Sequence, residues 1–148
     1  MIASFDLTGR RALITGAGSP TGIGFATAAL LGRMGATVHV TATTDRISER
    51  VAQLRAAGIE ATGSVADLTV EDQVQSLPTE VDLLVNNAGM ISVGNSFEDG
   101  SLADMSLATW QAGLRRNLDT AFLVSRHVLP EMARRGWGRV VNVASVTG

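Results

Sequence analysis

Residues 15–24 read TGAGSPTGIG, four glycines in ten residues directly after the apolar Ala12, Leu13 and Ile14. A bound pyrophosphate needs several backbone N–H groups aimed at it and no Cβ in the way, and a helix N-terminus adds a favourable dipole. Gly16 suits a sharp turn off a strand, Gly22 a close backbone approach, and Gly24 tight packing of the following helix on the sheet. A purely structural turn is the other reading of such a loop. The surroundings favour the nucleotide: the loop follows a strand pattern and opens a helix pattern carried by Ile23, Ala26, Leu30, Leu31 and Met34, the context that the motif requires.

The rest of the chain alternates in the same way. TVHVTA predicts a second strand, followed by a helix with Ile47, Val51 and Leu54 on one face and Gly58 just past its end. IEATGSVA is a weaker third strand, and Thr69 with Asp72 resembles a capping box at the head of a short helix, with Pro78 beyond it. VDLLVNNAG reads as a fourth strand buried on both faces. After a loop at 91–105, Ser106 is placed to cap a helix running through Trp110 and Asn117 toward Arg135, stopped by Gly136 and Gly138. RVVNVAS is the fifth strand and ends at Ser145. Strands alternating with helices predict an α/β fold: a doubly wound parallel sheet of order 3-2-1-4-5 in three α/β/α layers, incomplete at its C-terminal side.

At 148 residues, the chain suits one domain spanning 1–148. Net charge −2 with 18% charged and 45% apolar residues argues against both a disordered tail and a basic nucleic-acid face, leaving a small molecule as the expected partner. Cysteine is absent, which removes disulfides and thiolate metal sites and suits a cytoplasmic setting, and no metal is expected. No run approaches the roughly 18 apolar residues of a membrane span. Tyrosine is absent as well.

Taken together, TG…GIG, NNAG, an Asn in the following helix and VNVAS resemble the short-chain dehydrogenase/reductase family, over the whole chain. The glycine turn departs from the family pattern: five residues, Ala17 to Thr21, separate Gly16 from Gly22 where the family has three. The resemblance implies a Rossmann-type fold, a nicotinamide cofactor and hydride transfer to a carbonyl. Asn117, seven residues after Trp110, would hold a water, and Ser145 would hydrogen-bond the substrate carbonyl. The Tyr-x-x-x-Lys acid–base pair would fall beyond Gly148, so the segment alone is expected to be inactive and to be the N-terminal part of a longer reductase. Neither His39 nor His127 is placed to replace that pair.

Within the loop, Gly16, Ser19, Thr21, Gly22, Ile23 and Gly24 are the candidate cofactor contacts. An acidic residue near the end of the second strand would bind the adenine ribose of NAD and repel a 2′-phosphate. Ala42 stands there, with Thr43 next and Arg46 close by, which favours NADP over NAD, while Asp45 on the ribose is the counter-reading. By resemblance, Asp67 and Leu68 would flank the adenine, and Asn87, Ala88 and Gly89 would run beside the ribose. Their plainer readings are a capping or solvated Asp67, asparagines 86 and 87 answering backbone groups at the sheet end, and Asn117 bonding its own helix.

VTATT is similar to 3-oxoacyl-acyl-carrier-protein reductases, which makes a 3-oxoacyl thioester the expected substrate. Leu118, Phe122, Leu129 and Met132, widened by Ala121, Val124 and Val128, form an arc able both to cover the sheet and to meet a partner helix, and a homo-oligomer, tetramer or dimer, is expected. A non-catalytic dinucleotide-binding or interaction module is the alternative, disfavoured by an unpaired fifth strand. A methyltransferase would leave NNAG unexplained.

Overall fold

In a computed structural model, residues 5–89 and 101–144 are described. The elements follow as β1 (Arg11–Ile14), α1 (Ile23–Arg33), β2 (Thr37–Ala42), α2 (Arg46–Ala56), β3 (Ala61–Val65), α3 (Glu71–Gln75) and β4 (Leu83–Asn86). Beyond these come α4 (Leu107–Leu114), a π-helical turn at Arg115–Asp119, α5 (Thr120–Arg135) and β5 (Arg139–Asn142). All strand pairs are parallel, in the order β3-β2-β1-β4-β5. The order expected from the sequence is therefore the order found. The chain reverses its direction of travel across the sheet between β1 and β4, and ligands of open α/β sheets bind outside the carboxyl ends of the strands at such a point.

The two sheet faces bury different cores. Ala12, Ile14, Val38 and Val40 pack with Ile47 and Leu54 of α2 and Ala28 of α1. Leu13 and Leu84 point the other way, into a cluster with Val74 of α3 and Val124, Val128 and Met132 of α5. β1 and β4 feed both clusters because successive side chains alternate. At the amino ends of the strands Asp82, nearly buried, ties the layers together. It accepts hydrogen bonds from the Arg11 amide at 2.9 Å and from Arg135 of α5 at 2.7 Å.

Two local expectations change. Most of the apolar stripe that signals α1 does not face the sheet: Ile23, Ala26 and Leu30 are exposed and Leu31 packs against the core only in part, while Gly24 and Ala28 are buried. Small residues let the helix sit close, so the inward face carries little hydrophobic signal. The capping box does not form at α3, whose N-cap is Val70 without a side-chain bond. Asp67 instead accepts from both the amide and the hydroxyl of Thr69, at 2.9 and 2.7 Å. Along the π-helical turn and α5, Leu118, Phe122 and Leu129 are exposed while Val124, Val128 and Met132 are buried, so the wide arc has one face on the sheet and one turned outward. Ser106 does cap α4, its hydroxyl accepting from the Thr109 amide at 3.1 Å, and Gly136 ends α5 in the left-handed region.

Candidate nucleotide-binding site

The glycine loop leaves β1 through Thr15. Its buried hydroxyl accepts from the amides of Asn87 and Ala88, both at 3.0 Å. Asn87 returns two bonds, its side-chain amide donating to the carbonyls of Thr15 and Gly16 at 3.1 Å each. The end of β1 and the end of β4 are thus locked together. Asn87 serves backbone groups at the sheet end, as its plainer reading held. Asn86 spends its side-chain amide on Ser125 and Asn142, at 3.0 and 2.8 Å.

Glycines are required where these segments meet. Gly16 has φ +68°, and a Cβ on it would lie 2.8 Å from Ala88 Cα. A Cβ on Gly24 would lie 2.7 Å from Asn87 Nδ2 and 2.8 Å from the Gly16 carbonyl. One on Gly18 would lie 2.9 Å from Ala42 Cβ, so the longer loop folds over the end of β2. The turn is therefore tight for reasons internal to the protein. It also leaves the start of α1 bare: Gly22 is the N-cap, no side chain caps the helix, and no charge falls anywhere in residues 15–24. First-turn amides with no side-chain partner and an open helix dipole favour an anion. Ser19 and Thr21, whose hydroxyls are 3.5 Å apart, and Ile23 are exposed around this end.

The neighbouring strand ends supply the remaining candidates. Thr43 is exposed just past β2, and Arg46 donates from Nε to the Thr44 hydroxyl at 3.2 Å, holding a guanidinium beside it. Asp45 is the N-cap residue of α2. Past β3, Asp67 is exposed while the Leu68 side chain is buried in the second core, so Leu68 has only its backbone to offer. On the other flank, Gly89 meets the π-helical turn: a Cβ there would lie 2.7 Å from Asn117 Oδ1. Asn117 donates from Nδ2 to the Gly113 carbonyl at 3.0 Å, the bond to its own helix that its plainer reading named.

The candidates from Gly16 to Asn117 thus fall along one rim, across the carboxyl ends of β3, β2, β1 and β4. Ser145 lies outside the described residues. β5 leads toward it in register with β4, with Asn142 opposite Asn86 and the Val143 amide donating to the Asn86 carbonyl at 2.9 Å. The sequence reading did not single out Thr15 or Thr120 individually. The two histidines bond within the fold: His39 lies between the Thr62 and Ser64 hydroxyls, each 2.8 Å away, and His127 meets the Leu77 carbonyl at 2.8 Å. Burial lowers the His39 pKa. Among the described residues, no acidic or histidine cluster could hold a metal, and no helix is long and apolar enough to cross a membrane.

A glycine turn at the switch point of a doubly wound sheet defines a dinucleotide-binding class of protein. The short chain dehydrogenase family model matches residues 10–148, and the chain belongs to that family. It is 34% identical, over 96% of its length, to 2-dehydro-3-deoxy-D-gluconate 5-dehydrogenase of Formosa agariphila, of which it covers 54%. It is 35% identical, over 97% of its length, to a 3-oxoacyl-acyl-carrier-protein reductase of Pseudomonas aeruginosa, of which it covers 58%. The chain thus spans little more than half the length of these curated relatives. Its Rossmann-type fold superposes with a TM-score of 0.82 on a gluconate 5-dehydrogenase of Burkholderia cenocepacia solved with NADP and tartrate. That match has 32% identity and covers 97% of this chain and 56% of the other.

Proposed function

We propose that this chain is the cofactor-binding part of an NADP-dependent oxidoreductase that reduces a carbonyl to a secondary alcohol. The observation that carries the reading is the cradle in which Gly16 and Gly24 close on Asn87 and Ala88 beneath the uncapped start of α1. The residues fit the group: Gly16, Ser19, Thr21, Gly22, Ile23 and Gly24 would surround its phosphates, and Asp67 and Leu68 its adenine. Asn87, Ala88 and Gly89 would line the ribose next to the nicotinamide. Thr43 and Arg46, with no carboxylate at Ala42, suit a 2′-phosphate, which favours NADP over NAD. When bound, the cofactor supplies the hydride. Ser145 would donate a hydrogen bond to the substrate carbonyl and stabilise the charge developing there, and Asn117 stands beside the same rim.

A 3-oxoacyl thioester or a similar ketone is the substrate this reading favours. A keto sugar acid is the second, because relatives named for gluconate chemistry match as well as the acyl-carrier-protein reductase does. The exposed Leu118 of the π-helical turn and Phe122 and Leu129 of α5 support a homo-oligomer, and a cysteine-free chain accords with a cytoplasmic setting. Oxidation of NADPH by the complete enzyme, followed with both substrate classes, tests the proposal. Turnover with one of them, slowed about 10²–10³-fold or more in Ser145→Ala, is the expected result. NADPH binding without turnover on any carbonyl would favour a non-catalytic module.

A further inference from the structure

The long helix from Leu107 to Arg135 is interrupted at one place, the π-helical turn at Arg115–Asp119. A π turn carries one residue more than an α turn and has poorer hydrogen-bond geometry, so it persists only where something offsets its cost. The Thr120 amide shows the displaced register: it donates to the Arg115 carbonyl, five residues back. In an α-helix it would donate to Arg116. The Arg116 carbonyl instead accepts from the hydroxyl of the same residue, Thr120 Oγ1, at 2.8 Å. One side chain takes up the acceptor that its own amide has left. Thr120 is 5% exposed, so water has little access to replace it.

The same turn forms the wall against Gly89. A Cβ on that glycine would lie 2.7 Å from Asn117 Oδ1, 3.4 Å from Asn117 Cα and 3.5 Å from the Arg116 carbonyl oxygen. The carbonyl held by Thr120 and the side chain of Asn117 are therefore the two surfaces seated on Gly89. Relaxing the turn to α spacing would remove the extra residue from the bulge and rotate Asn117 by about 100° around the helix relative to α5.

We propose that Thr120 is a positioning residue whose hydroxyl sustains the π register and thereby seats Asn117 against Gly89. Its value for function rests on the reading that the NNAG stretch borders the cofactor; the conformational claim does not. The test is NMR of the folded chain without cofactor, comparing wild type with Thr120→Val, Thr120→Ala and Thr120→Ser. The probes are the Asn117 side-chain amide signals and the cross-relaxation of Asn117 with the Gly89 α-protons.

Valine keeps the shape of threonine and loses the hydroxyl, alanine loses it without an added methyl, and serine keeps it. The expected result is loss of the Asn117–Gly89 contact and a shifted side-chain amide in whichever hydroxyl-free variants fold, with both signals restored in Thr120→Ser. Wild-type signals in Thr120→Val or Thr120→Ala, or a lost contact in Thr120→Ser, would overturn the proposal. Failure of the wild-type chain to bind NADPH would count against the oxidoreductase reading and leave this one standing.

Discussion

Gly16 and Gly136 have nearly the same positive φ, +68° and +69°, in very different surroundings. A Cβ on Gly136 meets nothing within 4 Å, whereas one on Gly16 lies 2.8 Å from Ala88 Cα and 2.9 Å from its nitrogen. Alanine at either site suffers the left-handed penalty of roughly 1–2 kcal/mol and gains the same small advantage from a stiffer unfolded chain. These contributions cancel in the comparison. What remains at Gly16 is a collision with backbone, which cannot swing aside as a flexible side chain can. Overpacking of this kind costs roughly 1–3 kcal/mol. With a urea m-value of about 2 kcal/mol/M, Gly16→Ala should unfold about 0.5–1.5 M below Gly136→Ala. Urea denaturation followed by circular dichroism measures both midpoints. Because the push on Ala88 also opens the proposed cradle, folded Gly16→Ala should bind NADPH more weakly, with Gly136→Ala unaffected. Equal midpoints would refute the claim that the loop is closed by direct contact with the NNAG backbone.

Replacing Asp82 with alanine removes the acceptor for the Arg11 amide and Arg135 at a nearly buried position, and should destabilise the chain by about 3–5 kcal/mol in urea melts. His39 should make stability depend on pH. Burial holds its folded pKa below the unfolded value, so the unfolded state binds the extra proton first. The contribution is full above about pH 6.5 and is lost as pH falls through the folded pKa; the urea midpoint of His39→Gln should fall less steeply over that range than wild type. Arg46→Ala should weaken NADP+ binding about tenfold, roughly 1.4 kcal/mol, and leave NAD+ affinity unchanged, as calorimetric titration would show.

The sheet was legible because its signals are local and repeated. RALI, TVHV and LLVN are short apolar runs between turn residues, and the parallel order follows from helices placed between them. The rim was legible because glycine is demanded where backbone meets backbone, as at Gly16 and Gly24. What escaped depends on contacts between distant segments. Nothing in the spacing of Ile23 and Leu30 says that Gly24 and Ala28 are the inward residues. Thr69 had an acceptor nearer than its expected helix partner, in Asp67. The bonds from Thr15 to Asn87 and Ala88, and from Asp82 to Arg135, span more than fifty residues each. The π-helical turn left no trace in the apolar pattern because Arg115–Asp119 contributes no buried side chain.

Equilibrium titration of the folded chain with NADPH, read by calorimetry, bears most directly on the nucleotide site. Saturation at one cofactor per chain, abolished or sharply weakened when Gly24→Ala places a methyl against Asn87 and the Gly16 carbonyl, is the predicted result. Folded wild-type protein that takes up neither NADPH nor NADH would contradict it.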